Sequence, residues 1–173
     1  MVVRVAAWTL AVVFVAGCGS SGDPATPTDA GSAGDAAAAA ATVELGTGES
    51  AFVPIAMSGA SLELVHGPQG GYHLSLTCRF SGLSPDNLLV RYDVFEAGRM
   101  TMWNMTAEYV LAPDRVTPDG AGFVRLGDRA VLDITSPPDI VGHTVTVRVC
   151  LLPPGGAAKV VDSRAIVVTD DIP

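Results

Sequence analysis

Three stretches of this chain alternate apolar and polar residues, and that pattern sets the fold class. In His73–Phe80 the apolar side chains fall at Leu74, Leu76, Cys78 and Phe80. In Leu88–Phe95, Leu88, Val90, Tyr92 and Val94 share one side while Arg91 and Asp93 share the other. In Thr144–Val149 the valines stand at Val145, Val147 and Val149. A period of two sends successive side chains to opposite faces of a strand, so each stretch has one buried and one solvated face. Half-buried strands of this kind belong to antiparallel sheets, because parallel strands are covered on both sides. The same reading predicts strands at 50–56, 60–66, 99–111, 121–126, 129–135 and 158–168. Turn residues separate them: Gly67-Pro68-Gln69-Gly70-Gly71, Glu96-Ala97-Gly98, Pro118-Asp119-Gly120 and Pro153-Pro154-Gly155-Gly156. No segment keeps helical spacing. About eight or nine short strands predict an all-β domain, an antiparallel two-sheet sandwich of immunoglobulin-like kind.

The alternation is confined to residues 43–173, which are numerous enough to bury a core without staples. Before them, residues 19–42 contain nothing apolar larger than alanine and proline. Such a segment cannot bury enough surface to offset its ordering entropy, so it reads as a disordered tether. A flexible chain of this length has an r.m.s. span of about 25–29 Å.

The charge balance narrows the partners. Residues 43–173 carry fifteen acidic against nine basic residues, a net charge of −6. That is unsuited to a phosphate backbone, so no nucleic-acid role is expected. No internal stretch reaches the ~20 apolar residues that span a bilayer.

The N-terminus reads MVVRVAAWTLAVVFVAGC. Arg4 is a positive n-region, and Val5–Ala16 is an apolar h-region of twelve residues. Val15-Ala16-Gly17-Cys18 resembles the lipobox of bacterial lipoproteins, with Val15 where leucine is usual. The resemblance implies that residues 1–17 are a signal peptide, that Cys18 takes a diacylglyceryl group on sulfur, and that cleavage leaves Cys18 as the acylated N-terminus. Residues 18–42 are then the lipidated cysteine and its tether, and 43–173 the β-domain. Two or three acyl chains anchor stably where one would be marginal. Gly19, in place of aspartate, implies delivery to the outer membrane under the sorting rule of Gram-negative lipoproteins. The whole chain resembles the uncharacterised small β-domain lipoproteins of GC-rich Gram-negative bacteria, notably at Leu64–His73 and Val161–Val168.

Few residues offer chemistry. There is no Gly-x-Ser-x-Gly elbow, phosphate-binding glycine loop, His-Glu-x-x-His or Cys-x-x-Cys. No enzymatic activity and no cofactor beyond the lipid on Cys18 are expected. The expectation is a membrane-tethered binding or structural module whose partner is an envelope protein or a glycan. A second reading starts from Met100, Met102 and Met105, soft thioethers that suit Cu(I), with His73 completing a site. Against it, Met100 and Met102 would face one side of a strand and Met105 the other, as core fillers do. His66 and His73 flank the glycine-rich turn. Cys78 and Cys150, 72 residues apart, are candidates for a disulfide in an oxidising compartment. Cys78 lies on the apolar phase of its strand. Cys150 lies on the phase of Thr144, Thr146 and Arg148, so pairing requires a bulge before it.

Overall fold

The computed structural model describes residues 40–99, 101–111, 113–156 and 159–170. The signal peptide, Cys18 and most of the tether lie outside the described residues, as does Met100. Ten strands follow in order: β1 (Thr42–Thr47), β2 (Val53–Pro54), β3 (Ala60–His66), β4 (Tyr72–Ser81), β5 (Leu89–Glu96), β6 (Glu108–Val110), β7 (Thr117–Asp119), β8 (Gly122–Leu132), β9 (Thr144–Leu152) and β10 (Val160–Thr169). No α-helix occurs among the described residues.

The strands form one curled path, β2-β1-β4-β3-β10-β9-β5-β6, with β8 on the other side of β4 and β7 beyond it. Pairing is antiparallel except between β3 and β10. Ala60–Glu63 run parallel to Ile166–Thr169, and then Leu64–His66 pair antiparallel with Tyr72–Leu74. β3 therefore serves two neighbours in succession, and the expectation of a purely antiparallel sheet is corrected at this strand.

The alternating residues line a common core. Leu74, Leu76, Cys78 and Phe80 of β4 meet Val90, Tyr92 and Val94 of β5, and Val145, Val147 and Val149 of β9. Removing this apolar surface from water is the main stabilising term. β3 has the expected bounds. The stretches expected at 121–126 and 129–135 are one strand, β8, interrupted by a bulge. Leu76 opposes Asp128 while Cys78 opposes Arg125, so β8 holds one residue more than β4 there. Gly127, at φ 71°, takes the left-handed conformation that the extra residue requires. The strand expected over 99–111 is not one. Among its described residues only Glu108–Val110 form a strand, and Met102 and Asn104 make isolated bridges to Phe95 and Leu132. Asn104 explains the break. Its side chain accepts from the Val94 amide at 2.7 Å and donates to the Tyr92 carbonyl at 3.0 Å, standing in for a ladder along β5.

β9 has no bulge, and its register with β5 and β10 is continuous. Cys150 consequently keeps the phase of Thr146 and Arg148, outside the core cluster that contains Cys78. Both thiols are buried and free, so the Cys78–Cys150 disulfide is not formed in this structure. Burial pushes the Cys78 thiol up to about 12.

β1 and β10 lie side by side without a backbone ladder between them, and side chains close the gap. The Leu45 amide donates to Asp162 Oδ2 at 2.7 Å. The Ile55 amide donates to the Leu45 carbonyl at 3.3 Å. Arg164 Nε donates to the Ile55 carbonyl at 2.9 Å, and its Nη1 to Asp162 Oδ1. Arg164 is only 8% exposed, so removing it leaves the largely buried Asp162 carboxylate without its counter-charge and the Ile55 carbonyl without this donor. Arg164→Ala is expected to cost about 3–5 kcal/mol by urea unfolding. Arg79→Ala, which breaks an exposed pair with Glu44, is expected to cost less than about 1 kcal/mol. Equal losses would contradict a structural role for the Arg164 contacts.

Candidate functional site

The bulge in β8 shapes both faces of the sheet. Residues three apart on a regular strand face opposite ways; the extra residue turns Arg125 and Asp128 to the same, inner side. There Arg125 Nε and Nη2 bond Asp128 Oδ1 at 2.8 and 2.7 Å. Tyr92, across the core on β5, donates its hydroxyl to Asp128 Oδ2 at 2.9 Å. Burial, then the Cys78 and Asp128 charges, hold the Tyr92 phenol well above its ordinary range. Each polar side chain of this inner network has a partner, as buried polar groups require.

On the outer side, the same strand pair builds a depression of about 350 Å³ under the β3–β4 hairpin. Its polar lining is Glu49, His66, His73, Ser75 and Arg129, and Gly127 sits at its edge. Ser75 lies directly opposite Arg129 in the ladder, and His73 is two residues along the same face. His73 is 9% exposed, and its ring has no hydrogen-bond partner among the described residues. Burial, helped by the Arg129 charge, lowers its pKa from 6.5. At neutral pH it is a neutral imidazole beside a cation. His66, at the rim, meets Asp170 at 3.2 Å and the Tyr72 ring edge-on at 5.1 Å.

His66 and His73 thus do converge on one depression, the residues singled out around the glycine-rich turn. Glu49 and Arg129 were not singled out. They arrive from the β1–β2 segment and from β8, and no local motif marks them. The bulges found beside functional sites give a physical signal, since Gly127 is part of this rim.

The methionines are arranged differently. Met102 is half-buried in its bridge to Phe95. Met105 is 70% exposed and lies in a separate depression with Tyr109 and Val131. His73 and Met105 are therefore not brought into one pocket. The ring that meets Trp103 is His143, edge-on at 5.9 Å. Among the described residues no group of three or more His, Cys, Asp and Glu could hold a metal ion. The 135–142 loop is pinned inward: Asp139 accepts from the Thr135 and Ser136 amides, and Ile140 is fully buried.

The environment of His73 makes stability depend on pH. The unfolded chain takes up a proton at His73 below 6.5, whereas the folded chain resists it. The unfolded state then binds more protons, so stability falls as pH drops through that value. Between about pH 7.5 and about pH 5.5 the urea midpoint of the native chain should fall further than that of His73→Asn. Equal falls would contradict a neutral, buried His73.

No family model matches this chain, and no curated protein matches it. Among solved structures it is similar to the CooA pilin subunit from enterotoxigenic Escherichia coli. The identity is 12%, covering 76% of this chain and 99% of that chain, with a TM-score of 0.36. A superposition of that quality decides neither fold family nor function.

Proposed function

We propose that this chain is a lipid-anchored protein of the Gram-negative cell envelope, delivered to the outer membrane, whose β-domain is a non-catalytic binding module. The observation that carries the anchor is Val15-Ala16-Gly17-Cys18 followed by a 24-residue segment of small residues. Lipid on Cys18 holds the chain to the bilayer, and the segment keeps the domain clear of the headgroups. In support, β1 begins at Thr42, where the small-residue composition ends. Binding is supported by the depression at His73, which gathers Glu49, His66, His73, Ser75 and Arg129 on one surface. An envelope protein or a glycan is the partner class.

The β-domain is read as a two-sheet, immunoglobulin-like sandwich. One sheet holds β7, β8, β4, β1 and β2, and the other holds β10, β9, β5 and β6. The change of partner in β3 at Leu64 supports this reading, because it takes one strand from the edge of one set to the other.

The anchor is tested by expressing the full chain in a Gram-negative host with labelled palmitate. The native chain is expected to sediment with membranes and carry label. Cys18→Ser is expected to be released and unlabelled. A Cys18→Ser chain that still sediments and still takes up palmitate contradicts the reading.

A further inference from the structure

We propose that the depression between the β3–β4 hairpin and the β8 bulge binds a hydroxylated carboxylic acid the size of one hexuronate residue, with Arg129 gripping the carboxylate. The inference rests on the binding-module reading and names its ligand.

The first observation is the state of Arg129. In this acidic domain, Arg79, Arg91, Arg99, Arg125, Arg148 and Arg164 each pair with a carboxylate. Arg129, like the exposed Arg115 and Lys159, pairs with none among the described residues, and of these three it is the one that lines the depression. A planar guanidinium fork matches a carboxylate through two parallel hydrogen bonds, so an unpaired one over a depression is a ready carboxylate receptor.

The second observation is His73. His73 is 9% exposed and makes no side-chain hydrogen bond within the described residues, so its ring nitrogens are open to solvent from the depression and to a ligand that replaces it. It lines the depression two residues from Ser75, whose register places it opposite Arg129. A ligand hydroxyl or carboxylate oxygen would satisfy it. An anion there also opposes the effect of Arg129 on His73, so the neutral imidazole becomes easier to protonate.

The remaining walls select among anions. Glu49 adds negative charge on the side of the β1–β2 segment, which disfavours a doubly charged phosphate and accepts hydrogen bonds from hydroxyls. His66, held by Asp170, supplies a further polar edge on the β3 side. Val65 and Pro68 offer an apolar edge for the C–H face of a ring. Gly127 leaves the rim open, since a Cβ there would meet nothing within 4 Å. A volume of about 350 Å³ is at the small end of ligand sites and suits a single ring.

The test uses the full chain carrying Cys18→Ser, labelled with nitrogen-15 and titrated with sodium glucuronate, glucose or sodium acetate. Glucuronate is expected to shift the amide resonances of His73, Ser75, Gly127 and Arg129, and glucose is not. Arg129→Ala is expected to weaken glucuronate binding about tenfold or more, as loss of a charged hydrogen bond implies. Arg115→Ala, which removes an exposed arginine elsewhere, should bind as the parent does. The proposal is overturned if glucuronate shifts nothing there, if glucose shifts the same amides equally, if acetate binds as tightly, or if Arg129→Ala binds unchanged. Such a failure leaves the membrane anchor standing, because palmitate labelling reads Cys18 alone.

Discussion

Four groups close a ring of hydrogen bonds where β1 meets β10: the Leu45 backbone, the Ile55 backbone, the Arg164 guanidinium and the Asp162 carboxylate. The rest of the domain depends on this ring. β3 pairs with β10 only as far as Glu63 and then leaves for β4. The edge of β1 that faces away from β4 pairs with β2 at Gly46 and Thr47, and at Leu45 it lies beside β10 with no ladder between them. Leu45 is fully buried, so its amide and carbonyl must find partners there or cost the curled sheet its closure. A charged pair in such a place is hydrogen-bonded on both members. It acts more as a positional lock than as a source of net stability, since burying ions offsets much of their attraction.

A second device works on the opposite side of β4. One inserted residue at Gly127 changes the phase of β8 and thereby assigns its charges. Before the bulge, Arg125 faces inward; after it, Asp128 faces inward and Arg129 outward. The inner pair meets Tyr92 and ties β8 to β5 through the core. The outer arginine is left without a carboxylate, beside a buried histidine. The bulge is thus a common cause of the satisfied polar network inside and of the polar depression outside. The first ties β8 to β5, and the second leaves Arg129 and His73 side by side on the surface.

Much of this was legible in the sequence, and the reasons for the remainder are specific. Strict alternation at Leu74–Phe80 and Val145–Val149 marked one buried face, and the fold buries it. The phase of Cys150 was equally visible, and with no bulge before it the thiol stays on the outer face. β1 was missed because Thr-Val-Glu-Leu-Gly-Thr carries little apolar pattern; its edge is satisfied by Asp162, 117 residues away. The methionine-bearing segment looked like a strand because its composition suits one. Asn104 overrides that by bonding β5 with its side chain. His66 and His73 could be singled out as neighbours of one turn. Arg129 and Glu49 could not, because only tertiary register carries them to the same depression.

The lock at the β1–β10 junction can be read directly through the Leu45 amide, whose only acceptor among the described residues is a side chain. The decisive measurement is hydrogen exchange at that amide, followed residue by residue in the native chain and in Asp162→Ala. The account predicts that Leu45 is protected as strongly as the ladder amides of β4 in the native chain. It also predicts that this protection is lost selectively in the variant, with the core of β9 still protected. Exchange of the native Leu45 amide at the rate of an open loop would contradict it.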